Sequence, residues 1–307
     1  MKVSTAFLFD RATQNLQNLQ GRLSTTQAQM AATKQILSPS DSPDQAAAIQ
    51  RLQGEIDRQE SHVSTLKVAM RRYQAEEAAI ASANDVLMRV KELALQASNG
   101  TYSQAQRDAI AVEIKALRGQ LLSLGNTRDD SGNYLFSGTR VNTPAFAEDA
   151  NGQVSYQGDQ SRTSIPAGVE RTVQFTRSGV DVFARVIRLD TSGNATSESF
   201  FGALDQMIAA VSSSDAAGMS RSIGDVDQML DSVSLSLAKT GSDQQIVQQQ
   251  VDVLEQTTLR LKTSLSEVQD LDYAAAVTKM NREMLAMEAA MSGFAKISGL
   301  TLFDYIR

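Results

Sequence analysis

The 307-residue chain has no cysteine and no tryptophan, one histidine and four prolines. Lack of cysteine excludes a disulfide framework, thiol catalysis and thiolate metal ligation together. It also leaves nothing to oxidise, so the composition suits the cytosol and the exterior alike. The sole histidine, His62, has no second imidazole with which to build a His-rich zinc site or an acid–base pair. With 29 basic and 35 acidic residues the formal charge is −6, and no basic block gathers the charge that phosphate backbones demand. No nucleic-acid partner is expected. No run reaches the ~18 apolar residues of a membrane span, so no membrane partner is expected either. The patch from Val3 to Phe9 stops at Asp10 and Arg11, too short for a secretory signal core. The expectation is a chain that is cytosolic or exported without a cleaved signal.

Chain breakers are unevenly placed. Eight of the 18 glycines, two of the four prolines and eight of the 16 aromatic residues fall between Gly132 and Gly202. Outside that window the pattern is helical. The expected fold class is mainly α with a small β-rich insert. The N- and C-terminal helices would pair as a coiled coil, beside a long antiparallel helical bundle with the β domain inserted mid-chain.

Near the N-terminus, Phe9, Leu16, Leu23, Met30 and Leu37 recur at a strict seven-residue spacing. Ala12, Leu19, Thr26 and Thr33 follow three positions after the first four, so the second seam is only partly apolar. Such a period describes a helix packed along its length against other helices. Arg22 is the only charged residue between Ala12 and Thr33, with Gln and Asn on the outer faces. Scarce charge is expected of faces that meet protein. The next helix has Ser42 to cap it, Pro43 at its first position and Gln45 completing a capping box. Ile49, Leu52, Ile56, Val63, Leu66, Met70, Tyr73 and Ile80 then keep three- and four-residue steps, interrupted at Gln59 and Glu77. Asn99-Gly100 breaks this helix. Ser103 and Gln106 form a second capping box before Ile110, Ile114, Leu117, Leu121 and Leu124.

From Asp129 to Phe200 the period falls towards two in short runs such as Gln153 to Tyr156 and Thr172 to Phe175, with turn formers between them. Five or six short strands are expected there. Helix resumes near Ser199 and breaks again between Ser212 and Asp215. Val247, Val251, Leu254, Thr258, Leu261, Leu265 and Val268 keep unbroken four–three alternation. The frame slips by one residue at Leu271-Asp272 and resumes with Tyr273, Val277, Met280, Met284, Met287, Met291 and Phe294. A one-residue insertion changes local winding, which places a domain border near Asp270. The two chain ends are expected to lie together.

Little in the chain suggests chemistry. His62 precedes the core residue Val63 inside a charged helix and reads as a surface histidine. No zinc-protease, P-loop or dinucleotide motif occurs, so no catalytic residue, cofactor or metal ligand is assigned. Asp129, Asp130, Ser131, Gly132 and Asn133 lack the alternating acids and bidentate Glu of a calcium loop and read as a turn. Asn194-Ala195-Thr196 matches a glycosylation acceptor, for which plain turn chemistry is the simpler reading. The methionines at 280, 284, 287 and 291 suit a helix that packs in more than one environment, since Met conforms to imperfect neighbours.

In combination the segments resemble the flagellin superfamily. Val3-Ser4-Thr5 resembles its opening motif, and Ser40-Asp41-Ser42-Pro43 its S-D-D-P, with Ser42 in place of the second Asp. Arg89-Val90-Lys91-Glu92-Leu93-Ala94-Leu95-Gln96-Ala97-Ser98-Asn99-Gly100-Thr101 is similar to the family's R-V-R-E-L-A-x-Q-A-x-N-G-T run. Asn126-Thr127 and Tyr134-Leu135-Phe136-Ser137-Gly138 resemble the segments after it. Within the superfamily, the close Leu300-Thr301-Leu302-Phe303-Asp304-Tyr305 is more similar to the hook-associated junction branch than to filament flagellins. So are Pro144-Ala145-Phe146, Tyr156-Gln157-Gly158-Asp159 and Gly179-Val180-Asp181-Val182-Phe183.

The resemblance implies a structural protein of the bacterial flagellum, extracellular, at the hook–filament junction, exported through the flagellar type III apparatus, and not an enzyme. The implied division is 1–41 with 270–307 as an inner-tube coiled coil, 42–138 with 200–269 as an outer-tube helical bundle, and 139–199 as a projecting β-rich insert. Implied partners are the hook-side junction protein, flagellin, the filament cap protein during assembly, a cytosolic export chaperone, and neighbouring copies in a ring. Implied assembly residues are Phe9, Leu16, Leu23, Met30, Leu37, Arg89, Glu92, Tyr273, Val277, Met280, Met284, Met287, Met291 and Phe294. A self-polymerising minor flagellin remains the alternative. The terminal helices, marginal alone, are expected to order only on assembly.

Overall fold

The second helix begins at Pro43, the position expected for its first residue, and the Ser42 carbonyl accepts the Ala46 N–H at 2.9 Å. The computed structural model describes residues 2–168, 171–189 and 195–303. Seven helices and six strands occur among them: α1 (Lys2–Ala32), α2 (Pro43–Ser98), α3 (Gln104–Gly125), β1 (Phe146–Glu148), β2 (Val154–Tyr156), β3 (Ser164–Pro166), β4 (Thr172–Gln174), α4 (Gly179–Val182), β5 (Val186–Leu189), β6 (Ala195–Glu198), α5 (Phe200–Ser212), α6 (Ala216–Gln269) and α7 (Tyr273–Phe303). Asn194, Asp304 and Tyr305 lie outside the described residues. The chain forms two compact units, residues 1–58 with 256–307 and residues 59–255.

In the larger unit, α2, α3, α5 and α6 bury one apolar core. Ile80, Leu87, Val90, Leu93, Ile114, Leu121, Leu204, Met207, Val226 and Met229 are its interior. Helix α3 opens with the expected capping box, Ser103 and Gln106 each accepting the other's backbone N–H. A second cluster joins Val63, Leu66, Ala69 and Tyr73 of α2 to Val247, Val251 and Leu254 of α6, with Ile165 and Val173 of the β3–β4 pair against it.

The mid-chain segment is strand-rich as expected, but its strands do not make one sheet. They form three separate antiparallel pairs, β1–β2, β3–β4 and β5–β6. Strands of three or four residues have too little face to build a core of their own, and helices supply it. Phe146 packs 5.3 Å from each of Tyr156, Phe183 and Phe201, and Phe183 packs 5.2 Å from Phe200 at 89°. These are favourable tilted and edge-to-face contacts. They seat the β1–β2 ribbon on the C-terminal end of α3, where a Cβ on Gly125 would come within 2.9 Å of the Phe146 ring.

Charge is buried beside this core. Arg72 reaches Asp129 at 3.0 Å and the Leu135 carbonyl at 2.9 Å, while Arg177 bonds Glu76 at 3.2 Å and Asp243 at 2.9 Å. The Asp129 segment is a turn, as read from sequence: the Asp129 carboxylate accepts the Ser131 and Asn133 N–H groups at 2.9 Å, and Gly132 has φ +82°.

In the smaller unit, α1 and α7 pair antiparallel. The segments leading out of α1 and into α7 also pair. The Gln35 N–H donates to the Gln269 carbonyl at 2.9 Å, and the Leu271 N–H to the Thr33 carbonyl at 3.1 Å. The frame slip at Leu271-Asp272 is thus a break between two helices, not a change of winding within one.

Candidate assembly interface

The contact between α1 and α7 follows the heptad frame of α1. Ala12, Leu16, Leu19, Leu23 and Met30 are half-buried and Thr26 is fully buried, while Phe9 and Leu37 are more open at 43% and 41% exposed. The Phe9 and Phe294 rings meet at 5.0 Å.

On α7 the expected frame needs correction. Ala276 and Glu283 are buried and Met280, Met287, Ala290 and Phe294 half-buried, an unbroken four–three alternation. Met280, Met287 and Phe294 therefore belong to the seam. Met284 and Met291, 43% and 48% exposed, turn outward, as does Tyr273 at 55%, and Val277 is half-buried at the edge. The reason is width. Apolar residues on α7 cover a broader arc than one antiparallel partner can bury, and small Ala276 and Ala290 allow closer approach than methionine. Phe7 and Leu285, 64% and 67% exposed, enlarge the uncovered apolar surface.

A second exposed cluster lies on the larger unit. Arg89 donates to Glu113 at 2.8 and 3.0 Å and to Glu92 at 3.1 Å. The Glu113 and Glu92 hydrogen bonds raise the affinity of the guanidinium for its proton. Glu113, on α3, was not predicted, since nothing in sequence pairs it with Arg89. Met88, Leu95 and Val112, 45%, 50% and 70% exposed, stand nearby in sequence on the same two helices. Downstream, Asn99 Oδ1 accepts the Thr101 N–H at 3.1 Å, and Arg107 donates to the Ala97 and Asn99 carbonyls at 3.1 and 3.2 Å. These bonds satisfy the C-terminal carbonyls of α2 and turn the chain into α3.

His62 is half-buried next to Val63. Among the described residues no group of three or more His, Asp or Glu is placed to hold a metal ion, and no helix is long and apolar enough to cross a membrane.

The family model of the bacterial flagellin N-terminal helical region matches residues 3–141, and that of the C-terminal helical region matches residues 223–306. The chain belongs to the bacterial flagellin family. The two matches take in α1, α2 and α3 at one end and most of α6 with α7 at the other. Among flagellin-family relatives, it is 24% identical over 320 residues to flagellar hook-associated protein 3 of Escherichia coli K12, covering 99% of each chain. The fold is that of solved family members. FlgL of Xanthomonas campestris aligns with a TM-score of 0.62 and 22% identity, over 71% of this chain and 99% of that one. The flagellar junction protein FlgL of Legionella pneumophila aligns with a TM-score of 0.56 and 17% identity, over 74% and 98%.

Proposed function

We propose that the chain is a structural subunit of the bacterial flagellum, forming the layer that joins the hook-side junction protein to the first flagellin subunits. The observation that carries the assembly reading is the uncovered apolar arc of α7, with Met284, Leu285 and Met291 in water. A patch of that kind marks a protein contact. The junction role, rather than a filament role, is supported by the end-to-end likeness to a hook-associated protein.

In this reading residues 1–41 with 270–307 form the inner tube, 42–138 with 200–269 the outer wall, and 139–199 project outward. Leu16, Leu23, Met30, Met280, Met287 and Phe294 hold the terminal pair together. Leu37, Tyr273, Val277, Met284 and Met291 remain for neighbouring copies, hook-side protein or flagellin, with the open side of Phe9, whose other side packs on Phe294. Arg89 and Glu92 contribute to packing between subunits. Export proceeds through the flagellar type III apparatus with a cytosolic chaperone, and the filament cap protein is present as the layer completes. The protein has no catalytic task.

Isolated hook–filament preparations test the proposal. The protein should be confined to the junction, and the purified chain should not elongate into filaments. Protein distributed along the filament would establish the minor-flagellin alternative instead. Leu16→Asp or Met284→Asp should leave residues 59–255 folded, yet stop filament growth and release flagellin into the medium. Normal motility in both variants would rule out the assignment of the termini.

A further inference from the structure

Glu283 lies inside the α1–α7 seam at 4% exposure, on the stripe between Met280 and Met287. Thr26 Oγ1 donates to its Oε2 at 2.8 Å. Arg22 Nε stands 3.6 Å from Oε1, which has no hydrogen-bond donor among the described residues. A carboxylate in an apolar seam weakens the pair unless donors and countercharge are aligned with it.

The apolar pattern of α1 does not define one alignment. Phe9, Leu16, Leu23 and Met30 repeat every seven residues, so sliding α7 by a heptad exchanges one apolar contact for another. The polar pattern is not periodic. Sliding Glu283 one heptad towards the start of α1 sets Leu19 and Asn15 where Thr26 and Arg22 stand. Sliding it the other way sets Thr33 and Gln29 there. Thr33 lies past the end of α1, and its hydroxyl already donates to the Ala32 carbonyl at 2.7 Å. Neither slide supplies a cation, because Arg22 is the only charged residue between Ala12 and Thr33.

We propose that Glu283, held by Thr26 and Arg22, selects the register of the terminal helix pair. In one antiparallel alignment the carboxylate has the Thr26 hydroxyl as donor and the Arg22 guanidinium at 3.6 Å, and in the heptad-slipped ones it loses both. The inference concerns the smaller unit alone and stands apart from the junction reading.

The absence of cysteine makes the test direct, since two introduced thiols are the only ones in the full-length chain. Phe9→Cys with Phe294→Cys reports the observed register. Phe9→Cys with Met287→Cys, and Leu16→Cys with Phe294→Cys, report the two slips. After mild oxidation, disulfide yields are read on non-reducing gels and by peptide mass spectrometry. In the parent the first pair should exceed each slipped pair by at least about tenfold, the scale set by an unsatisfied buried acceptor. In Glu283→Leu the ratio should fall to within about threefold, with helicity retained. Should Glu283→Leu lose the pair altogether, Thr26→Val carries the same expectation and Thr26→Ser should retain the parent ratio. Equal yields of the three disulfides in the parent would overturn the proposal. So would an unchanged ratio in Thr26→Val, or slippage in Thr26→Ser as free as in Thr26→Val.

Discussion

Arg177 Nε stands 3.2 Å from Glu76 Oε2, joining residues 101 apart in sequence around a carboxylate with no exposed surface. Asp243 holds the other arm of the same guanidinium at 2.9 Å. Arg72 lies 3.5 Å from the second Glu76 oxygen. Glu76, Arg177 and Asp243, with Tyr73, Arg162, Asp181 and Lys239, line a cavity of about 150 Å³ between α2, α6 and the β3–β4 ribbon.

Burial pushes the Glu76 carboxyl up to about 7, against the opposing pull of Arg177 and Arg72. Below the ordinary value of 4.5 the group is protonated in folded and unfolded chains alike. Between 4.5 and about 7 the unfolded chain has released that proton while the folded chain keeps it. Its contribution to stability is therefore complete below 4.5 and lost as pH rises through about 7. Glu76→Gln cannot ionise. The urea midpoint of the parent should fall relative to that variant across this window, and a pH-independent offset would contradict the assignment.

Arg72 is the more demanding of the two guanidiniums. Its side chain is 2% exposed and divides its donors among Asp129 and the Tyr134 and Leu135 carbonyls. A lysine ammonium has no planar fork with which to reach all three. Arg72→Lys should destabilise the larger unit by about 2–4 kcal/mol in denaturant titrations. A loss below about 0.5 kcal/mol, the level of an ordinary surface change, would show that the network is not structural.

Gly138 has φ +67°, and a Cβ there would run into the Asp159 carbonyl oxygen and carboxylate. Gly132 has φ +82° and open space around it. Backbone strain alone makes Gly132→Ala cost about 1 kcal/mol, whereas Gly138→Ala adds overpacking of about 1–3 kcal/mol. Thermal unfolding of the two variants should separate them in that order. Equal losses would mean that the turn at Asp159 yields.

The terminal pair is thinly packed. Thr26 is the buried residue of α1, and Ala276 and Glu283 those of α7, among the side chains described. So little burial holds helices only marginally. Limited proteolysis of the isolated protein should cut within residues 1–40 and 270–307 first and leave a core containing 59–255. Ends as resistant as the core would contradict ordering on assembly.

Much of the helical architecture was legible because one periodic stripe met one partner. All seven positions from Val247 to Val268 are buried or half-buried, as their spacing requires. The α7 phase was not legible, since its apolar arc fits more than one frame. Nor was the buried charge. Sequence spacing puts Glu77 on the α2 seam, yet Glu77 is half-buried and accepts from Gln244, while its neighbour Glu76 is the one fully enclosed. Local periodicity cannot identify a countercharge 101 residues away.

By itself the sequence determined the starts of α2, α3 and α5, the strand-rich window and the family, because caps and breakers act over a few residues, whereas the heptad run to Leu37 overshoots the end of α1 at Ala32. Tertiary structure decided which face of α7 meets α1, which carboxylates leave water, and that Glu113 joins Arg89. Those outcomes depend on which surfaces compete for a limited contact area, and that competition exists only once distant segments meet.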